Sequence, residues 1–167
     1  ILSWFISFLC GVLIPVSFAP FNIWSSIFSY LIFFPLAVFL YQVLHTRSAK
    51  EAFYKGLFFG IGLFTMGVSW LYIAIHDFGA AHWSLAGLFT GAFIVFMALY
   101  YALFSWTIYK IKQKKSLSRQ QLSLFYIPVL WVFLEWLRSG LVTGFPWILL
   151  GYPMIETPLA GFAPITG

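Results

Sequence analysis

What most constrains this chain is where its charges are missing. No Lys, Arg, Asp or Glu occurs before Arg47, between Lys55 and Asp77, between Asp77 and Lys110, or between Arg119 and Glu135. An α-helix rises ~1.5 Å per residue, so crossing the ~30 Å hydrocarbon layer takes about 20 mostly apolar residues. The charge-free stretches predict helices over 2–18, 23–44, 56–75, 83–109 and 122–143, with a sixth starting in 158–167. The expected fold is an all-α integral membrane protein, a polytopic transmembrane helix bundle of five spans plus the start of a sixth. An open sheet would leave edge amides unpaired in lipid, and a barrel would need short segments alternating apolar and polar residues, which are absent.

Composition narrows the class further. The chain is 62% hydrophobic and only 8% charged, against about 25% charged residues in soluble domains, which excludes that class. Disorder needs low hydrophobicity and collagen needs a glycine period, and this sequence has neither. One cysteine excludes an internal disulfide and a Cys-rich metal site; no metal or other cofactor is expected. The stretch 2–18 lacks the basic flank of a cleaved signal peptide, and its apolar run is longer than that of a typical signal. A second apolar stretch follows through Ala19-Pro20-Phe21-Asn22, so the first helix is expected to be retained.

The net charge is +5, and its distribution sets an orientation. Arg47, Lys50 and Lys55 fall in one loop, and Lys110, Lys112, Lys114, Lys115 and Arg119 in another. Short loops rich in Lys and Arg stay cytoplasmic. Loops 45–55 and 110–121 are therefore expected inside, with the turns 19–22, 76–82 and 144–157 on the outer side. This topological role takes precedence over binding of anionic lipid or RNA by the basic runs, and no nucleic-acid partner is expected.

Cys10 is the obvious nucleophile to test, but it sits midway along the first helix with no His, Lys or Asp within a turn. Reactive thiols need an electropositive, partly exposed setting, so its expected role is structural. Glu135 and Arg138 are three residues apart and share a helical face. Counted from Leu122, Glu135 lies ~20 Å along the helix, below the outer surface, where ionisable groups pair or face a wet interior. Two readings stand: a self-neutralising clamp, or a guanidinium that engages a lipid phosphate or carboxylate.

Thr143-Gly144-Phe145-Pro146-Trp147 and Gly151-Tyr152-Pro153 cannot continue one regular helix. They predict a re-entrant or surface turn with Trp147 and Tyr152 at headgroup depth, as anchors or as the rim of a lipid entrance. Gly56-x-x-x-Gly60 offers a smooth face for close helix packing. That helix ends in Ser69-Trp70-Leu71-Tyr72 and Ile75-His76-Asp77-Phe78-Gly79. On a helix His76 and Asp77 point about 100° apart and cannot form a face-to-face pair, so Asp77 is expected to satisfy backbone amides at the turn, with a rim or relay role for His76 as the alternative.

In order and spacing, these motifs resemble the amino-terminal membrane domain of apolipoprotein N-acyltransferases. The resemblance rests on Phe18-Ala19-Pro20-Phe21, the glycine-rich helix ending Ser69-Trp70-Leu71-Tyr72, His76-Asp77-Phe78-Gly79, and Glu135-Trp136-Leu137-Arg138 followed by Thr143–Trp147 and Gly151-Tyr152. Pro158-Leu159-Ala160-Gly161-Phe162-Ala163-Pro164 completes it. The resemblance implies a bacterial inner-membrane enzyme of lipoprotein maturation. Such an enzyme takes an acyl chain from a phospholipid, through a cysteine thioester, to the amino-terminal cysteine amine of a diacylated lipoprotein. It also implies that the catalytic Cys, Glu and Lys lie in a nitrilase-like domain outside this chain, so no catalytic residue is expected within 1–167. Trp70, Tyr72, His76, Asp77, Glu135, Arg138, Thr143, Gly144, Phe145, Pro146, Trp147 and Tyr152 are the candidates for shaping a site that takes the phospholipid donor, the lipoprotein acceptor and membrane lipids. The alternatives are a small transporter module using Glu135, Arg138 and His76, and a non-catalytic lipid-binding scaffold.

Overall fold

The computed structural model describes residues 2–18, 27–114, 117–141, 144–155 and 157–166. All regular structure among them is helical, with no strand. Helix α1 spans Leu2–Leu13 and tightens into a 3₁₀ turn at Ile14–Ser17, where Pro15 enters. After the short α2 (Ile27–Tyr30), α3 covers Phe33–Leu44. The predicted turn 19–22 and the start of the second predicted helix lie outside the described residues.

Helix α4 is Ala49–Gly67 and begins seven residues earlier than predicted. The hydroxyl of Ser48 accepts from the Glu51 amide at 3.1 Å, and the Glu51 carboxylate accepts from the Arg47 amide at 3.0 Å. These caps satisfy amides that a helix start leaves orphaned, which the charge-free criterion cannot sense. At its other end the predicted single helix is broken. Residues 68–69 separate α4 from α5 (Trp70–Ile73) and its π turn (Ala74–Phe78), and the two halves bend by 54°. Gly67 and Ser69 flank the break, the composition at which helices kink.

Helix α6 is continuous from Trp83 to Lys114, 32 residues, and overruns its predicted end by five. A reciprocal cap of Ser118 with Gln121 then starts α7 (Arg119–Gln121), which passes through a π turn (Leu122–Tyr126) into α8 (Ile127–Gly140). Pro128, with no N–H to offer Leu124, accounts for the widened turn just before it. The predicted 122–143 helix thus starts early and stops at Gly140. Past it, the described chain is irregular apart from 3₁₀ turns at Tyr152–Met154 and Pro158–Phe162 and the short α9 (Ala163–Thr166).

Two helices, Trp83–Lys114 and Arg119–Gly140, are long and apolar enough to cross a membrane, and three are if the bent pair counts as one span. Leu2–Ser17 and Phe28–Leu44 are apolar but shorter. At ~1.5 Å per residue the first of these reaches only ~24 Å.

Close packing centres on α4. At Gly56 a Cβ would fall on the backbone carbonyl of Tyr101, and at Gly60 on Ala98, so α4 and α6 approach backbone to backbone as the Gly-x-x-x-Gly spacing predicts. Phe39, Phe59, Phe104 and Trp131 join α3, α4, α6 and α8 in one aromatic core; Phe39 stacks on Phe59 at 3.8 Å and Phe104 meets Trp131 edge-on at 5.2 Å. Cys10 is buried in α1. The outward faces stay apolar: Phe34, Leu88, Val129 and Trp136 are all exposed, as lipid-facing residues are.

The basic loops meet at one end. Lys112 donates to the carbonyl of Leu44 at 2.8 Å, Tyr109 donates to that of Arg47, and the Arg119 guanidinium lies 2.9 Å from His45 Nε2. Lys55, nearly fully buried, donates to the carbonyl of Gln42 at 3.2 Å and pairs with Glu51 at 2.7 Å. Cations on the last carbonyls of α3 complement the negative end of its dipole.

Candidate functional site

The last two turns of α8 organise the opposite end. The chain leaves the helix after Gly140 and doubles back along it. Gly144 adopts φ +76°, where a side chain would strike the carbonyl of Ser139, so this reversal requires glycine. The Phe145 amide then donates to the Arg138 carbonyl at 3.0 Å. Arg138 Nη1 donates to the carbonyl of Trp147 at 2.7 Å and Nη2 to that of Ile148 at 3.4 Å, while Glu135 Oε1 accepts from the Leu150 amide at 3.2 Å. One helical turn therefore holds both polarities of the returning backbone. Hydrogen bonds to charged groups contribute about 1.5–3 kcal/mol each.

The expected mutual pairing of Glu135 and Arg138 is not what the side chains do. Among the described residues the ion-pair contacts are Lys55 with Glu51 and His76 with Asp77, so Glu135 and Arg138 do not meet within 4.0 Å. Each reaches past the other to the 147–150 backbone, which supplies donors and acceptors at closer range. Arg138 is 2% exposed, with its guanidinium carbon 5.4 Å over the ring of Phe64. That geometry stabilises the cation from below while the carbonyls take its N–H groups.

Ile148 is the strained member. It sits at φ +57°, a region that costs a β-branched residue about 1–2 kcal/mol. Its buried side chain runs into the space left by the absent Cβ of Gly67, at the break between α4 and α5. The returning segment is thereby pinned on two sides, by α8 and by the kink.

An aromatic rim follows. Trp147 lies 6.2 Å from Trp70 and stacks on Phe145 at 5.8 Å, and Phe145 meets Phe93 of α6 edge-on at 4.9 Å. Trp70 and Trp147 remain about half exposed. The half-open cleft beside Tyr101, Trp131, Glu135 and Arg138 is only ≈ 10 Å³, one water's worth. An acyl chain has no room there, whereas a wider open groove of ≈ 560 Å³ runs along α6 beside Gly87, Gly91 and Leu99.

Trp70, Glu135, Arg138, Gly144, Phe145 and Trp147 thus come together. Pro146 is exposed beside them, and Tyr152, also exposed, starts the next turn with its amide on the Leu149 carbonyl. Thr143 lies outside the described residues. Tyr72 on α5 and His76 and Asp77 on its π turn form a separate group. There His76 Nδ1 lies 2.8 Å from the Ala81 carbonyl and its ring 5.5 Å from Tyr72. Asp77, exposed, reaches His76 Nε2 at 4.0 Å and caps no described amide, so the histidine secures this turn rather than the aspartate. Among the described residues no three His, Cys, Asp or Glu side chains gather into a metal-binding group.

Sequence reasoning missed Phe64, Phe93 and Ile148, and took Gly67 only as one of the packing glycines of its helix. The pair Gly67 and Ser69 was a readable kink signal, whereas nothing in the sequence marks an isoleucine for the left-handed region.

A family model described as the apolipoprotein N-acyltransferase N-terminal domain matches residues 10–167. The chain belongs to this family. It is 41% identical over 164 residues to the apolipoprotein N-acyltransferase of Coxiella burnetii, covering 97% of this chain and 32% of that protein. It is 37% identical over 157 residues to that of Vibrio vulnificus and 35% identical over 161 residues to that of Pseudomonas aeruginosa, each time covering 94% of this chain and 29% of the relative. The chain thus spans about a third of the length of these bacterial proteins. Every candidate residue from Trp70 to Tyr152 falls inside the region matched by the N-acyltransferase domain model.

Proposed function

We propose that this chain is the membrane platform of an apolipoprotein N-acyltransferase of the bacterial inner membrane. The enzyme moves a fatty acyl chain from a phospholipid to the amino-terminal cysteine amine of a diacylated lipoprotein, in the last step of lipoprotein maturation. Covalent acyl transfer needs an activated nucleophile, a base and an oxyanion partner held together. Cys10 is buried in α1, far along the chain from Glu135 and Arg138. The family resemblance implies that the thiol, base and lysine of the reaction lie in a nitrilase-like domain outside residues 1–167, and on this reading these helices shape the site without turning over.

Five spans cross the bilayer and a sixth starts at 158–167; the bent α4–α5 unit counts as one, and the two shorter helices cross with help from their neighbours. Loops 45–55 and 110–121 face the cytoplasm, while 19–22, 76–82 and 144–157 face outwards. In support, the basic loops hydrogen-bond one another at one end, whereas Trp70 and Trp147 meet at the other. The observation that carries the reading is the 144–150 segment, fixed to α8 by Glu135 and Arg138 and presenting the exposed indole of Trp147 beside that of Trp70 at the expected headgroup level. Lipid-borne substrates meet the catalytic domain across that rim.

The test assays acyl transfer to a diacylated lipopeptide in phospholipid nanodiscs, using the complete gene product and, separately, residues 1–167. Transfer by the complete protein and none by the segment is the expected pair. Turnover by the segment alone overturns the placement of the chemistry, and no transfer by the complete protein overturns the assignment.

A further inference from the structure

The end of the bundle remote from Trp147 carries a second feature, which acyl transfer does not use. Trp106, Lys110 and Lys114 recur every four residues on α6, so they form one stripe. Lys110 Nζ stands 5.4 Å over the Trp106 ring. Together with Thr107, Ile111 and, across from them, Tyr126 of the π turn, they line an open pocket of ≈ 490 Å³. On the far side of Trp106 a shallower pocket of ≈ 280 Å³ brings in Lys50, Phe53 and Tyr54. From Phe93, which touches the outer segment, to Lys110 is ~25 Å along the helix, so this is not the rim already described.

The charge here is uncompensated in a specific way. Lys55 is held by Glu51 and the Gln42 carbonyl, Lys112 by the Leu44 carbonyl, and Arg119 by His45. Glu51 is the only carboxylate in either basic loop, and it is committed to Lys55 and the Arg47 amide. Lys110 and Lys114 are exposed and face the pocket with no carboxylate opposite them among the described residues.

We infer that this pocket binds the headgroup of an anionic phospholipid from the leaflet at the lysine-bearing end. Lys110 and Lys114 take the phosphate oxygens, and Trp106, Ile111 and Tyr126 flank the glycerol and first methylenes. The volume is in the range of small-molecule sites. Basic pockets between helices at a cytoplasmic interface have the chemistry for acidic headgroups, with indole and phenol rings at the depth where they partition. An apolar wall beside two lysines matches a glycerolipid better than a polynucleotide, which needs a continuous basic track. The inference rests on the membrane-spanning part of the proposed function and not on acyl transfer.

The test is native mass spectrometry of the complete protein, released from detergent after exposure to phosphatidylglycerol or phosphatidylcholine of identical chains. Wild type is expected to retain several-fold more phosphatidylglycerol, and Lys110→Gln with Lys114→Gln to bring the two lipids level. Trp106→Ala is expected to weaken retention of both, and Lys110→Arg with Lys114→Arg to restore the preference. Equal retention by wild type and the double Gln variant overturns the site. So does an equal loss from Arg47→Gln, an exposed cation at the same end outside the pocket, because the effect would then be diffuse charge. Displacement of the lipid by millimolar inorganic phosphate or by single-stranded RNA overturns the lipid assignment in favour of a free anion or a polynucleotide. Acyl transfer, measured in parallel, is expected to be unchanged in the double variant, so failure of the enzymatic reading and failure of this one are separable.

Discussion

The guanidinium of Arg138 donates to the main-chain oxygen of Trp147 at 2.7 Å, nine residues further along the chain. That bond, rather than an ion pair with Glu135, explains why a cation can be buried at this depth. A charged donor that finds carbonyls on one side and the Phe64 ring on the other has replaced its water without needing a counter-charge.

Arg138→Ala is therefore expected to free the 144–150 segment, at a cost of about 2–4 kcal/mol from two charge-assisted bonds and the lost packing. Arg138→Lys, which offers a point charge in place of a fork, should lose roughly half as much. Limited proteolysis of the complete protein in detergent, read as the rate of cleavage between 144 and 150, measures both. Unchanged rates in the alanine variant contradict the clamp.

Glu135 acts here as an acceptor for the Leu150 amide. An amide oxygen accepts as well as a carboxylate in kind, if less strongly, so Glu135→Gln should cost less than ~1 kcal/mol and Glu135→Ala about 1–3 kcal/mol. Thermal unfolding of the two variants side by side decides it; equal losses would mean that the charge itself matters.

Gly67 and Ile148 share one space. Gly67→Ala should destabilise by about 1–3 kcal/mol through overpacking, and Ile148→Ala should remove most of that penalty when the two are combined. A double-mutant cycle on unfolding midpoints checks the coupling, and additive effects would show that the two sites are independent.

Glycines on α4 and α6 are predicted to differ sharply. Gly56→Ala sets a methyl against the Tyr101 backbone, which has no rotamer to yield, and should cost several-fold in folded yield. Gly87→Ala and Gly91→Ala meet nothing within 4 Å and should be neutral. Monodisperse yield by size exclusion separates the two cases.

Orientation is open to direct labelling. With Cys10→Ser as background, Lys114→Cys should react with a membrane-impermeant maleimide only after the cytoplasmic face is opened, and Trp147→Cys in intact spheroplasts. Both positions are exposed. Labelling of the two from the same side refutes the proposed topology.

How much of this was readable in advance depends on what kind of signal each feature leaves. Apolar runs bounded by charge pointed to an all-helical chain, because desolvating a charge in lipid is the dominant cost. The helix ends were less visible. Ser48 and Ser118 begin α4 and α7 through local caps, a signature present in Ser48-x-x-Glu51 and Ser118-x-x-Gln121 but masked by the nearby charges. Glu135 and Arg138 stood out by type, whereas their partners did not, since backbone groups carry no sequence label. The meeting of Trp70 with Trp147 and of Phe93 with Phe145 depends on how far the chain turns after Gly140, which spacing alone does not fix.

The uninterrupted length of α6 has a mechanical consequence. Thirty-two helical residues measure about 48 Å, against a ~30 Å oily film. Spanning a bilayer as proposed, such a rod leans or stands proud by several turns, and the balance shifts with the thickness of its surroundings. Because Gly56 and Gly60 weld α4 to it, any lean is handed on to the kinked partner and so to Trp70. On the proposed membrane-spanning reading, bilayer thickness and the attitude of the Trp70 and Trp147 rim are coupled through one rod.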